Sequence, residues 1–461
     1  MLMGNEDKTS SSRQLHNISI GDELISVGIK VHNKSMKWQL PPSKSHAIRS
    51  LILASQSDSI TTITGIADCG DDVTSMKECL IQLGVLIEHI DSSGQIIEMD
   101  IESDNSEFES LRIHGVGKNG FSKPEGLLNV GNSGTTLRLI AVLCSRFSFT
   151  VTIDGDETLR NRDTEVLWDS IKQAGVDVSF LNLENRLPVK MKGPWFSKII
   201  EQINLDVSKS SQPLSAWMIA SSGLERMIEI NRIGTSVSNR HWNLSLRMCN
   251  QYGSRIILDG SKVKLSPWNV ELPKIVEIPK DASMASFAML ACSCLGHEVE
   301  LIGWPNEEDS IGHEILKNKS KQLGFSWQNK KIKFIGTHSS IEVDITDSND
   351  LITPLSVIMA IGGGGVIKGA LHTSFKESNR ILSTQSLLKS FGMNCQITND
   401  GISIPGGQKP TAPNEIVDCF GDHRIFMSAY ILASKVGANV RGKGLHKVAD
   451  ELFIERFESE D

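Results

Sequence analysis

Two kinds of helix pattern alternate along the chain. The first is apolar nearly all round, as in AIRSLILAS, TLRLIAVLCS, PLSAWMIASS, MASFAMLACS, PLSVIMAIGG and FMSAYILASK, and a helix without a polar face belongs inside a core. These segments start near residues 46, 135, 212, 283, 353 and 424, spaced 89, 77, 71, 70 and 71 residues apart, a regularity that marks an internal repeat. The second kind is amphipathic and runs through a glycine into a β-like stretch: VTSMKECLIQLGVLIE, VLWDSIKQAGVDVSF, LSLRMCNQYGSRIIL, ILKNKSKQLGFSWQ and LSTQSLLKSFGMNCQI. Gly84, Gly175, Gly253, Gly324 and Gly392 stand where a glycine caps a helix C-terminus. The sixth such segment, ILASKVGANVRGKG, is shortened near the end of the chain. The pattern predicts an α/β protein of six βαβ-like units with extra strands, arranged as one ring or as two bodies of three.

Short polar clusters stand at the starts of the apolar helices: SKSHAIR (43–49), GNSGTTLR (131–138), SKSSQP (208–213), PKDASMAS (279–286), SNDLITP (348–354) and GDHRIF (421–426). A helix start offers unpaired N–H groups and the positive end of the helix dipole, so added Lys, Arg and hydroxyls there make an anion cradle. In SKSHAIR, Lys44 and Ser45 open the helix and Arg49 follows one turn beyond Ser45 on the same face, a geometry suited to a carboxylate. In SKSSQP, Ser210, Ser211 and Gln212 form a phosphate seat or a plain Ser-rich loop. In FKESNR, Lys376 and Arg380 at i and i+4 with Glu377 between them put two donors and a titratable carboxylate in one predicted helical turn. Arg424 enters an otherwise apolar helix, where an unpaired charge is costly and calls for an anionic partner. Arg162 reads as a guanidinium entering a cleft or as a turn residue, and Lys447 by default as a surface lysine.

Composition narrows the classes. At 461 residues the chain predicts two or three domains, and 47 basic against 55 acidic residues give a net charge of −8, against a nonspecific nucleic-acid or membrane-surface binder. The eight cysteines are scattered with no CxxC pair and no Cys/His cluster at zinc spacing, so a metal site and a disulfide framework are not expected. The polar opening MLMGNEDKTSSSRQ lacks an apolar signal core, which predicts a cytoplasmic protein with a frayed N-terminus. The run GGGG at 362–365 has no suitably placed acidic residue downstream and reads as a tight connection, not a dinucleotide site. No HExxH, GxSxG, GK[ST] or kinase signature set is present, leaving metalloprotease, serine hydrolase, P-loop and kinase readings unsupported.

Taken in order, SKSxxxR, GNSGT, a lone Arg, SSQ, DAS, a carboxylate, KExxR, DHR and a late Lys resemble the 5-enolpyruvylshikimate-3-phosphate synthase family across about residues 40 to 455. The resemblance implies the two-domain enolpyruvyl transferase fold, an inside-out α/β barrel in which each domain holds three βαβαββ units around buried helices. It further implies one discontinuous domain of residues 1–41 plus 279–461 and another of 42–278, with the active site in the cleft between them and PKDASMAS as the return crossing. The implied reaction transfers the enolpyruvyl group of phosphoenolpyruvate to the 5-hydroxyl of shikimate 3-phosphate in a monomer that needs no cofactor and no metal. By matching position, shikimate 3-phosphate would meet Lys44, Ser45, Arg49, Ser210, Ser211, Gln212, Ser238, Asp350 and Lys376. Phosphoenolpyruvate would meet Lys44, Gly134, Arg162, Gln212, Arg380, Arg424 and Lys447, with Asp350, Glu377 and Lys44 as catalytic candidates.

The chain departs from the family pattern at Asp163, where a proline is usual, at His241, where a tyrosine often lines the acceptor pocket, and at Asp450, where a proline is common. A gap-free match of DSN would put Thr353 in place of Asp350 as the base. Two other functions stand beside the first. A transferase acting on UDP-N-acetylglucosamine normally carries a cysteine on the loop that here reads LRNRDTE, and none is there. A noncatalytic sensor of phosphometabolites would keep the cradles without needing Asp350 and Glu377.

Overall fold

The computed structural model describes residues 23–97, 108–197 and 200–458. The expected frayed start lies outside them, as do the first 22 residues of the expected discontinuous domain. The six apolar patterns form the helices Lys44–Ser55, Gly134–Cys144, Gln212–Ala220, Ala285–Leu295, Ile352–Ile361 and His423–Val436, each buried along almost its whole length. The five cap glycines have φ values of 93°, 84°, 113°, 88° and 72°, a conformation that costs other residues steric energy.

The repeat is visible in strand order. Leu128–Asn129 runs parallel to Thr150–Asp154 across the helix Gly134–Cys144, and an amphipathic helix then leads to a hairpin whose second strand, Val189–Lys192, returns antiparallel between Thr150–Asp154 and Asp177–Phe180. The same order recurs in the sheets built on Gln202–Asp206 and Ile341–Asp344. Two sheets borrow an edge strand from far along the chain: Ile275–Glu277 joins Ile60–Thr64, and Ser35–Gln39 joins Glu298–Ile302. In the sixth sheet Leu24–Val27 pairs antiparallel with Ala438–Arg441, taking the place of the missing hairpin.

Two buried clusters result. One draws on residues 47–278 with Ile311 added; the other draws on Val27, Trp38, Leu40 and residues 284–457. The chain passes between them at 41–43 and 279–281, where the crossings hold each other: Ser43 N donates to Pro279 O at 2.8 Å and Asp281 N to Pro41 O at 2.8 Å. The 362–365 run is a tight connection, because a Cβ on Gly365 would lie 1.9 Å from Ile341 O.

Two local expectations fail. The fourth amphipathic helix is reduced to one turn, Ile315–Asn318, because the preceding segment 306–314 is pulled into contacts with the other body. Lys376 and Arg380 do not share a helical turn: Lys376 is extended, and the helix begins at Arg380 with Asn379 as N-cap accepting from Leu382 N. An Asn side chain competing for helix N–H groups favours starting the helix there. Among the described residues no helix is long and apolar enough to cross a membrane.

Candidate active site

A cavity lies where the starts of the buried helices of the two bodies meet. From the 42–278 body it is lined by Lys44, Ser45, Gly134, Arg162, Ser210, Ser211, Gln212 and Ser238; from the other by Asp350, Lys376 and Glu377. Arg49, Arg380 and Arg424 sit behind these walls, 0%, 1% and 1% exposed. Lys447 is exposed on the short 3₁₀ turn Leu445–Val448 and does not line the cavity, although its backbone lies against Gly70, two residues before the cavity residue Asp72. Of the two candidates for the base, Asp350 faces the cavity, whereas Thr353 is fully buried against Thr384, 2.9 Å between hydroxyls.

The first wall is rich in donors held by backbone. Arg49 Nη1 donates to Ser45 O at 2.8 Å and Nε to Ser245 Oγ at 2.7 Å. Arg138 repeats the motif one unit later, donating from Nη1 to Gly134 O at 2.6 Å. Burial lowers the pKa of both guanidiniums to about 10. Gly134 leaves room for them: a Cβ there would lie 2.7 Å from Arg138 Nη1 and 3.3 Å from Arg162 Nη1. Ser238, in the left-handed region at φ 51°, caps the helix Asn239–Gln251, accepts from Asn349 Nδ2 of the other body at 2.8 Å, and its backbone carbonyl accepts from Ser211 Oγ. A non-glycine residue in that conformation persists only where its surroundings over-determine it, as at many binding sites. His241 is neutral, since burial with Lys376 and Arg49 nearby pushes its pKa well below the usual value, and its Nδ1 has no partner.

The second wall is an ion network. Arg380 donates to Asp422 from Nε at 2.8 Å, to Asp350 from Nη1 at 2.7 Å and to Glu377 from Nη2 at 2.6 Å. Burial would lower the Arg380 pKa, but the three carboxylates outweigh it and raise it. Arg424 Nη2 donates to Ser283 Oγ at 3.0 Å, while its Nε stands 3.4 Å from Asp350 Oδ1, too poorly aligned to bond and otherwise without a partner. Burial alone would raise the Asp350 pKa; Arg424, Arg380 and Lys376 instead hold it well below the carboxylate range. Glu377 behaves alike under Arg380, Arg162 and Lys44. Lys44 Nζ lies 2.8 Å from Asp72 Oδ2, and although burial opposes its charge, Asp72 and Glu377 hold its pKa above the usual value. Lys44, Asp72, Glu377 and His423 therefore form a proton-bearing cluster spanning both bodies.

The EPSP synthase family, described as 3-phosphoshikimate 1-carboxyvinyltransferase, matches residues 33–450. The chain is 30% identical over 412 residues to a 3-phosphoshikimate 1-carboxyvinyltransferase of Caldivirga maquilingensis, covering 87% of this chain and 90% of that one. The chain belongs to the EPSP synthase family. A namesake from Lactococcus lactis is 28% identical over 426 residues, covering 88% and 92% of the two chains. Among solved structures, an EPSP synthase of Acinetobacter baumannii shares the fold with a TM-score of 0.72 at 24% identity, covering 94% of this chain and 97% of that one. The enolpyruvyl transferase NikO of Streptomyces tendae shares it at 0.66 and 10% identity, covering 94% and 96%. The α/β fold is thus that of EPSP synthases and enolpyruvyl transferases.

Several cavity residues of this EPSP synthase family member escaped the sequence reading. Arg138 had a signal, since it follows Gly134 by four residues as Arg49 follows Ser45, and aligning the repeats would have exposed it. Asp72 reads in sequence as ordinary negative charge at the start of the helix Asp71–Gln82, and only the fold brings it to Lys44. His423 lies in GDHRIF beside the more conspicuous Arg424; it is neutral, its pKa pushed well down by burial and by Lys44. At Asp163 the carboxylate accepts from Glu165 N at 3.0 Å and pairs with Lys209 at 3.2 Å, a turn held by hydrogen bonds where a proline would hold it by its ring.

Proposed function

We propose that this cavity is where the chain transfers the enolpyruvyl group of phosphoenolpyruvate to the 5-hydroxyl of shikimate 3-phosphate, giving 5-enolpyruvylshikimate 3-phosphate and phosphate. The protein is a transferase of the shikimate pathway leading to chorismate and aromatic amino acids. The observation that carries the assignment of the site is the meeting of a hydroxyl- and amide-lined wall with a carboxylate–arginine wall in one cavity. In the proposal Ser210, Ser211, Ser238 and Lys376 hold the shikimate phosphate and Ser45 with Arg49 its carboxylate. Lys44, Gly134, Arg162, Gln212, Arg380 and Arg424 receive phosphoenolpyruvate, and Lys447, on a flexible four-carbon stem, reaches in from the rim. Each charge-assisted bond contributes on the order of 1.5–3 kcal/mol, which offsets the desolvation of a small polyanion.

The acceptor hydroxyl adds to C2 while C3 gains a proton from Lys44; the neutral Lys44 amine then takes a proton back from C3 as the C2–O bond to phosphate breaks. Asp350 takes the hydroxyl proton, and Lys44, kept charged by Asp72 and Glu377, supplies the proton to C3. A carboxylate as strongly stabilised as Asp350 is a weak base. An anionic substrate that engages Arg424 and Arg380 adds negative charge beside it and draws off its stabilising partners, which raises its pKa toward a useful value. The active species in this reading is a cytoplasmic monomer. Phosphate release from phosphoenolpyruvate tests the function: release with shikimate 3-phosphate supports it. Release only with a uridine nucleotide or UDP-N-acetylglucosamine, or no release with any acceptor, overturns it.

A further inference from the structure

The segment between the fourth buried helix and its vestigial partner does more than connect. Residues 306–314 belong by chain position to the 279–461 body, yet Ile311 is 6% exposed and packs in the hydrophobic cluster of the 42–278 body. Its φ is 53°, a conformation strained for a β-branched residue, so the surrounding contacts hold it there against its own preference. Gly312 beside it has φ 90°, and a Cβ there would lie 2.6 Å from Asp347 O. The segment is fastened to its own body next to the site, where Ser348 Oγ donates to Gly312 O at 2.6 Å, two residues before Asp350.

On either side of Ile311 the segment grips the other body by charge. Asp309 Oδ1 accepts from Arg247 Nη2 at 2.6 Å and lies 3.2 Å from His46 Nε2. Glu314 Oε1 accepts from Arg240 Nη2 at 2.8 Å. Asp309 is itself preset, since its backbone N–H donates to Asn306 Oδ1 at 2.8 Å and Asn306 Nδ2 donates to its Oδ2 at 2.9 Å. His46 Nδ1 in turn lies 2.9 Å from Ser43 Oγ, the N-cap of the helix that opens with Lys44 and Ser45. The grip on Arg240 and Arg247 falls on the helix Asn239–Gln251, which also carries His241 and Ser245, the partners of Arg49.

We propose that residues 306–314 form an interdomain clasp, in which Ile311 is the plug and Asp309 and Glu314 the ionic catches, so that these three are positioning residues for Lys44, Ser45 and Arg49. Two bodies joined by two short crossings move relative to each other unless something holds them, and the site exists only when both walls face each other. A clasp that favours that arrangement raises the fraction of protein competent to bind. Losing it divides apparent affinity by the same factor, while saturating substrates still assemble the site. The proposal rests on the substrates assigned above.

Asp309→Asn, Ile311→Ala and the double variant test it, with Asp309→Glu as conservative rescue and Glu307→Ala, exposed on the same loop, as control. Expected for the double variant is a rise of about tenfold in KM for both phosphoenolpyruvate and shikimate 3-phosphate with kcat within about twofold. Small-angle scattering of the ligand-free double variant is expected to show a larger radius of gyration that returns on adding both substrates. Asp309→Glu recovers part of the KM, and the control matches the parent. A fall in kcat matching a fall in unfolding temperature with KM unchanged would mean a structural role only and overturns the clasp, as does an unchanged radius. If the parent shows no turnover with these substrates, the proposed function fails, and the ligand-free scattering still decides the clasp.

Discussion

The two walls of the cavity handle charge in opposite ways. In the 42–278 body the buried guanidinium of Arg49 and the half-buried one of Arg138 bond to carbonyls, a hydroxyl and an amide, and burial lowers their pKa. In the other body Arg380 is surrounded by Asp350, Glu377 and Asp422, and its pKa is raised. A cation without a counter-ion in a low-dielectric wall is an electrostatic deficit that a bound anion fills. A cation already matched by three carboxylates holds those groups ionised and in place for proton transfer. Under the proposed function the first wall serves affinity and the second chemistry, with Lys44 and Asp72 the point where the first joins the second.

Four experiments can break or sharpen that contrast. The largest effect is expected for Lys44→Ala, which removes the cation shared by Asp72 and Glu377: turnover falls by about 10²–10⁴-fold while the unfolding temperature changes little, and equal losses of both would contradict its placement in the cavity. Next come paired arginine removals followed by denaturant titration. Arg380→Met strands three buried or half-buried carboxylates and costs about 3–5 kcal/mol, whereas Arg138→Met removes a cation with no ion pair and changes stability by less than about 1 kcal/mol while weakening substrate binding. Equal destabilisation by the two would erase the distinction between the walls.

The third is acid titration. Asp350 and Glu377 have folded pKa values below their unfolded values of about 4, so they stabilise the fold above that pH, and this stability is lost as pH falls through the folded values. Asp350→Asn should therefore flatten the decline of the urea midpoint between about pH 5 and 3, while Asp163→Asn, on the exposed rim of the first wall, changes it less. The smallest effect is expected for Lys447→Ala. Because Lys447 is exposed and outside the cavity lining, its loss should raise KM for phosphoenolpyruvate by no more than about two- to fivefold, and a loss of turnover comparable to that of Lys44→Ala would place it in the site instead.

Much of the fold was legible because its signals are local. An all-apolar helix, a cap glycine or an N-cap serine reports the conformation of its own few residues, and sixfold repetition multiplied each weak signal. Reading failed where distant groups decide. FKESNR carries helical spacing, yet Arg380 is drawn to Asp422, 42 residues away, and Lys376 is left extended. ILKNKSKQLG carries an amphipathic pattern, yet the segment before it is held by Arg240 and Arg247 of the other body.

By itself, then, the sequence determined the six units, their buried helices and the polar helix starts that supply Lys44, Ser45, Gly134, Ser210, Ser211, Gln212 and Asp350, since these follow from periodicity and capping within short stretches of chain. Only the tertiary structure decided which of those groups are paired: that Asp72 answers Lys44, that Arg380 ties three carboxylates, and that Asp309 reaches His46 across 263 residues of chain. The reason is that a charge placed in a wall is stable only with the partners that folding brings to it, and those partners are set by how two separately built cores meet.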